Sequence, residues 1–136
     1  MEHTLIKTIE LSNGLKLDFY DISRKLAGDR WYVGVIARID IPLIDSLLTN
    51  QHLPHYSVEK IRNALGESVR FQQKRERHYI DEQEKGDLLN SLMDSFIKRT
   101  LNYLSRPDFP GKYVLKEFQT YRKRKTWYQN DRRAKL

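Results

Sequence analysis

The sequence predicts an α+β fold, in which a small antiparallel sheet is covered on one face by a long amphipathic helix. Three observations support this fold class. Apolar residues alternate with polar ones in the N-terminal third, a wide helical stripe follows later in the chain, and 136 residues is the length of a single domain. A composition that is 39% hydrophobic and 11% aromatic is typical of a globular chain rather than a disordered one.

The predicted sheet begins with a β-hairpin over residues 5–20. Its two apolar, alternating arms flank an Asn-Gly dipeptide, which supplies the positive φ angles of a tight hairpin turn. A second hairpin turns at Gly28, and its outgoing strand covers residues 31–41. Pro42 ends that strand because proline has no N–H to donate to the ladder.

The strand over residues 31–41 has two unequal faces. Its odd-numbered residues, Trp31 to Ile41, are apolar and form the predicted core face. Tyr32 and Ile36 on the opposite face indicate that it is partly covered as well, and Gly34 permits a bulge or a close approach.

A short helix is predicted next, from a cap at Ser57 to Leu65, with Gly66 as the stop. Residues 68–80 then predict a strand that becomes highly charged halfway. Charge of this kind favours a sheet edge, where lysine and arginine discourage pairing with another molecule.

The longest helix is predicted over residues 82–105. Acidic residues at its start and Lys98 and Arg99 near its end match the helix dipole, and Pro107 closes it. Its apolar stripe comprises Leu88, Leu89, Leu92, Met93, Phe96, Ile97, Leu101 and Leu104.

The net charge of +7 is confined to the C-terminal end. Of the 25 basic and 18 acidic residues, 9 basic and 2 acidic ones follow Gly111, which leaves 16 of each before it. The chain is therefore divided into an α+β core domain, 1–111, and a basic, aromatic C-terminal segment, 112–136. This segment is predicted to be helical to about residue 125 and mobile from Thr126 onward.

The C-terminal segment also holds 5 of the 15 aromatic residues. Cations beside aromatic rings fit nucleic acid, because lysine and arginine contact phosphates while rings stack on unpaired bases. The sequence therefore predicts a non-enzymatic module that binds single-stranded DNA or RNA with low sequence specificity. Two arginines of the charged strand would extend this surface. The candidate nucleic-acid-binding residues are Arg122, Lys123, Arg124, Lys125, Trp127, Tyr128, Arg132, Arg133, Arg75 and Arg77.

Several alternatives stay open, among them an acidic-lipid partner for the basic segment and a small-molecule sensor with a pocket between helix and sheet. The long helix, with Tyr103, Phe109, Tyr113 and Phe118 around its exit, fits a protein-interaction or homodimer-forming module. The basic segment also fits a terminal helix whose rings pack on the domain and whose charges face water.

Enzymatic signals are few. A Gly-rich phosphate loop, a nucleophile elbow and a zinc-protease helix are all missing, so neither a catalytic residue nor a cofactor is expected. His52 and His55 are interpreted as loop histidines rather than metal ligands, because the proline between them breaks helical spacing. Asp40 and Asp45 are interpreted as turn-forming carboxylates rather than an acid–base pair.

Without cysteines, a signal-like N-terminus or a long apolar stretch, a cytoplasmic protein with no membrane span is expected.

Overall fold

A computed structural model of the chain describes the backbone of residues 3–46, 48 and 57–134, and side chains as far as residue 127. These residues form five strands and three helices, which confirms the predicted α+β class. In chain order the elements are β1 (Thr4–Glu10), β2 (Lys16–Asp21), β3 (Arg24–Ala27), β4 (Arg30–Pro42), α1 (Val58–Leu65), β5 (Ser68–Asp81), α2 (Lys85–Leu104) and α3 (Phe109–Ala134).

The chain divides into two compact units. The sheet unit comprises Met1–Asp40 and Arg70–Arg106, and the helical unit comprises Ile41–Val69 and Pro107–Leu136. Gly111, after which the sequence becomes strongly basic, lies inside α3. Helix α1 belongs to the same unit as α3 because these two helices contact each other.

The sheet is built around β4. β1 and β2 form the predicted N-terminal hairpin. Residues 18–21 of β2 lie opposite 35–38 of β4, and β3 pairs with the beginning of β4, so β2 and β3 follow one edge of that strand. β5 pairs with the other edge of β4, and within the described residues no further strand joins it. The charged strand is therefore an edge strand, as predicted.

Helix α2 packs on the predicted core face of the sheet. The ring of Phe19 meets the ring of Phe96 edge-on, at 5.7 Å between centroids and an interplanar angle of 87°. Phe19 lies opposite Ala37 in the β2–β4 register, so this face also carries the odd-numbered residues of β4. The buried members of this core include Leu17, Val33, Val35, Ile39, Leu92 and Met93.

The ends of α2 differ from the prediction. The helix runs from Lys85 to Leu104, inside the predicted range of 82–105. Asp87 lies in its first turn, but its last turn contains no basic residue. The expected match between charge and helix dipole is therefore present only at the N-terminal end, because Lys98 and Arg99 lie before the last turn.

The opposite face of the sheet is covered, as predicted, by a small apolar cluster of Ile22, Tyr32 and Ile36, with Tyr20 packed against it. Gly34 provides the space for this cluster. A Cβ atom at Gly34 would lie 2.8 Å from the Tyr32 hydroxyl oxygen and 2.9 Å from Cγ1 of Ile22, closer than real Cβ contacts. The predicted close approach at Gly34 is therefore present.

Charged side chains lie over this cluster. The Arg24 guanidinium is 5.2 Å from the centre of the Tyr32 ring, and the Arg38 guanidinium is 4.5 Å from the centre of the Tyr20 ring. The Tyr32 hydroxyl donates a hydrogen bond to the Glu76 carboxylate. Burial and this hydrogen bond raise the pKa of Tyr32 to about 12. The same hydrogen bond lowers the pKa of Glu76 from its ordinary value.

In the helical unit, α1 has the predicted caps. The Ser57 hydroxyl accepts a hydrogen bond of 3.1 Å from the backbone N–H three residues later, and the Gly66 N–H donates one of 2.8 Å to the Arg62 carbonyl. Ile61 is completely buried. The Arg62 guanidinium donates two hydrogen bonds, of 3.1 and 2.7 Å, to the Leu43 carbonyl, which fixes α1 against the segment that follows β4.

Helix α3 begins earlier and continues further than predicted. Its first half is part of the core, since Phe109, Val114 and Phe118 are 1%, 0% and 2% exposed. Its backbone is helical through Ala134, whereas the sequence predicted a helix only to about residue 125. Arginine, lysine and glutamine are good helix formers, so the second half can continue the helix without an apolar stripe of its own.

Candidate nucleic-acid interface

A groove with a volume of about 520 Å³ lies between α1 and α3 of the helical unit. Its α1 wall consists of Lys60, Asn63 and Ala64, which share one helix face because they are spaced by three and four residues. The adjacent Ile61 is buried and anchors α1 in the core. The anchoring of this helix therefore places Lys60 and Asn63 along the groove.

The α3 wall consists of Phe118, Tyr121, Arg122, Lys125 and Thr126. These positions also follow the helical three- and four-residue spacing, so they form one continuous stripe. The stripe is apolar and buried as far as Phe118 and becomes cationic within the next turn. One face of α3 thus contributes to the core first and to the groove afterwards.

The two aromatic rings of the groove have different roles. Phe118 is 2% exposed, whereas Tyr121 is 37% exposed. The two rings are stacked, with 6.5 Å between centroids and an interplanar angle of 19°. The Arg122 guanidinium lies 6.0 Å from the centre of the Phe118 ring. The buried ring of Phe118 therefore packs against both Tyr121 and Arg122.

The charge of the groove has one sign. Its described lining contains three cationic side chains, Lys60, Arg122 and Lys125, and no carboxylate. A concave surface lined by one sign of charge raises the local concentration of counter-ions more than a flat surface does. The arrangement is therefore suited to hold an anion that presents several oxygen atoms.

The structure separates the sequence-predicted residues into groups. Arg122 and Lys125 line the groove, while Lys123 and Arg124 are exposed on other faces of α3. Trp127, two residues beyond Lys125, is 65% exposed. The side chains of the remaining α3 candidates, Tyr128, Arg132 and Arg133, lie outside the described residues.

The two candidates on β5 belong to the sheet unit. The Arg75 guanidinium lies 5.4 Å from the centre of the Phe96 ring and donates a 3.1 Å hydrogen bond to the Gln73 side chain. Arg77 donates a 2.7 Å hydrogen bond to the Glu76 carbonyl. Both guanidinium groups therefore have partners within their own unit.

Sequence reasoning missed Lys60 and Asn63. Lys60 and Asn63 are three residues apart on the predicted helix 57–65, so the sequence alone places both on one face of that helix, beside its apolar stripe. No local signal indicates that this helix lies against α3, because helix pairing depends on tertiary packing.

The other candidate chemistries receive no support from the described residues. His52 and His55 lie outside these residues, and within them no three or more His, Cys, Asp or Glu side chains form a cluster suited to a metal ion. Asp40 forms an ion pair of 2.9 Å with Arg70, and Asp18 accepts a 2.7 Å hydrogen bond from the Thr8 hydroxyl. These carboxylates therefore hold neighbouring strands together.

Across the described residues, none of the helices has the combined length and hydropathy that crossing a bilayer requires.

Comparison of the chain with protein-family models, with curated proteins and with solved structures finds no significant match. Its function is therefore inferred from the chemistry of the groove and of α3.

Proposed function

We propose that this protein is a non-enzymatic module that binds nucleic acid through the groove between α1 and α3 and the basic faces of α3. The observation that carries the proposal is the groove itself, which combines three cations with the exposed ring of Tyr121. Lysine and arginine contact phosphates without reading sequence, and aromatic rings stack on unpaired bases. An unpaired strand of DNA or RNA, bound with low sequence specificity, fits both features.

An acidic membrane surface fits less well. A helix that binds in the membrane interface presents an apolar face to the lipid beside its cationic face. Phe109, Val114 and Phe118 of α3 are buried in the helical unit instead. A nucleic-acid partner is also compatible with the cytoplasmic location expected from the sequence.

The salt dependence of binding tests the proposal. In a variant with four substitutions, Arg122→Gln, Lys123→Gln, Arg124→Gln and Lys125→Gln, we expect weaker binding and a shallower dependence of log K on log salt. Each lost phosphate contact on a single strand removes about 0.7 from the slope, so four contacts remove about 2.8. Fluorescence anisotropy of a labelled oligodeoxythymidylate, repeated across a salt series, measures both quantities.

A matched control removes charge from the sheet unit. The Arg75→Gln and Arg77→Gln double variant is expected to bind nearly as tightly as the wild type, because both residues lie on β5 and neither lines the groove. Circular dichroism establishes that each variant is folded. Binding that does not depend on salt, or an unchanged slope in the four-substitution variant, would contradict the proposal.

A further inference from the structure

We infer that the groove between α1 and α3 holds one nucleotide of an unpaired strand, with its phosphate at the three cations and its base against Tyr121. The inference rests on the proposed function and extends it in two ways. It makes α1 a part of the binding site, and it assigns the base as well as the phosphate a place in the groove.

The phosphate position follows from the two walls. Lys60 belongs to α1, whereas Arg122 and Lys125 belong to α3, so cations line the groove from both sides. A cationic stripe on a single helix offers charge from one side only. A phosphate in the groove is reached by two ammonium groups and by a planar guanidinium, whose parallel N–H groups suit phosphate oxygens.

The base position follows from the polar and aromatic groups that remain. The ring of Tyr121 is exposed enough to accept a stacked base, and its contact with Phe118 restrains its orientation. Asn63, on the other wall, carries an amide that both donates and accepts hydrogen bonds, as base edges do. The volume of about 520 Å³ falls in the range of small-molecule sites.

This arrangement selects against a duplex. In a double helix both faces of each base are covered by neighbouring base pairs, so no face is available to Tyr121. A duplex can therefore use only the phosphate contacts, whereas an unpaired strand uses the phosphate contacts and the stacking contact.

The full-length wild-type protein provides the first test. Anisotropy measures binding of an oligodeoxythymidylate of about 15 nucleotides, an abasic strand of the same length, and the corresponding duplex. Stacking of one base corresponds to about a 5- to 160-fold gain, so the thymidylate strand should bind at least about fivefold more tightly than the abasic strand. Equal affinity for these two strands would overturn the inference, and this comparison requires no variant.

Variants then locate the contacts. Tyr121→Ala should lose at least about fivefold in affinity for the thymidylate strand while its affinity for the abasic strand stays unchanged, and Tyr121→Phe should retain both affinities. Lys60→Gln should weaken binding of both strands more than Lys123→Gln, which removes the same charge from α3 outside the groove. Equal losses in Lys60→Gln and Lys123→Gln would overturn the role of α1.

The two proposals fail in different ways. If the wild type binds none of the three nucleic acids, or binds only vesicles that contain an anionic lipid, the proposed function and this inference both fail. If the three nucleic acids bind with equal affinity and a steep salt slope, the proposed function stands and the single-nucleotide site is wrong.

Photocrosslinking of an iodouracil-substituted strand provides a mapping that does not depend on variants, and the expected crosslink is on Tyr121.

Discussion

Gly34 is a residue whose missing side chain shapes one face of the sheet. The ring of Tyr32 occupies the space that a side chain at Gly34 would fill, and Ile22 closes the same space from the neighbouring segment. From this position the Tyr32 hydroxyl reaches Glu76 on β5. A single glycine thus allows a buried tyrosine to connect two strands.

Substitution of Gly34 tests this packing. Gly34→Ala is expected to destabilise the fold by about 1–3 kcal/mol, the usual cost of overpacking, because the new methyl group contacts Tyr32 and Ile22 at less than 3.0 Å. Gly86→Ala is the matched control. An added Cβ there has nothing within 4 Å, and alanine restricts the unfolded chain more than glycine does, so the change is expected to stabilise by about 0.4–1 kcal/mol. Urea unfolding of both variants gives the comparison, and equal effects would contradict the close approach.

The raised pKa of Tyr32 makes stability sensitive to alkaline pH. Because folding raises this pKa from 10.0 to about 12, the stabilisation that Tyr32 contributes is complete below pH 10 and is lost as the pH rises toward 12. In this window the unfolded chain ionises its tyrosine before the folded protein does. Tyr32→Phe is expected to lose less stability than the wild type between these two pH values. Urea unfolding across the alkaline range measures the difference, and parallel losses would show that Tyr32 is not responsible.

Among the helices and strands, those specified by local chemistry were predicted well. Each of three predicted boundaries depends on a single residue, and all three are present. They are the side-chain cap at Ser57, the helix stop at Gly66 with its positive φ, and the end of β4 at Pro42, which has no N–H. The end of α3 was predicted less well, because an even distribution of charge gives no periodic signal although the residues favour a helix. The pairing of α1 with α3 has no local signal at all.

Four residues of the α2 stripe, Leu92, Met93, Phe96 and Leu104, are buried, and the other four are half-buried. We therefore expect Leu92→Asp to prevent folding of the sheet unit, since it would place an unpaired carboxylate in the core. Circular dichroism and light scattering report folding and association together. A folded, monomeric Leu92→Asp variant would indicate that the stripe faces a missing partner, in agreement with the alternative of an interaction module.

A neighbouring position on α2 supplies the control for that experiment. Asn90→Asp adds the same charge to the exposed side of the helix, and the variant should fold normally. Loss of structure in both variants would mean that charge anywhere on α2 is harmful, and Leu92→Asp would then carry no information about the core.

For the whole molecule, charge counting predicted part of the candidate site. The excess of cations after Gly111 indicated α3, and two of its residues, Arg122 and Lys125, line the groove. The count could not indicate Lys60, because the N-terminal 111 residues hold equal numbers of basic and acidic residues. A neutral region can still contribute a cation to a site, since the position of that cation is set by folding and not by the regional sum.

One stripe of α3 changes from apolar to cationic, so the groove depends on the direction in which each side chain leaves the helix axis. At 3.6 residues per turn, one inserted residue after Phe118 would rotate every later side chain by about 100° around the helix axis. Composition, net charge and the buried half of the helix would be almost unchanged, yet Arg122 and Lys125 would no longer face α1. Chains of this kind with the same basic content are therefore not equivalent, and the spacing between Phe118 and Lys125 distinguishes those that can form the groove.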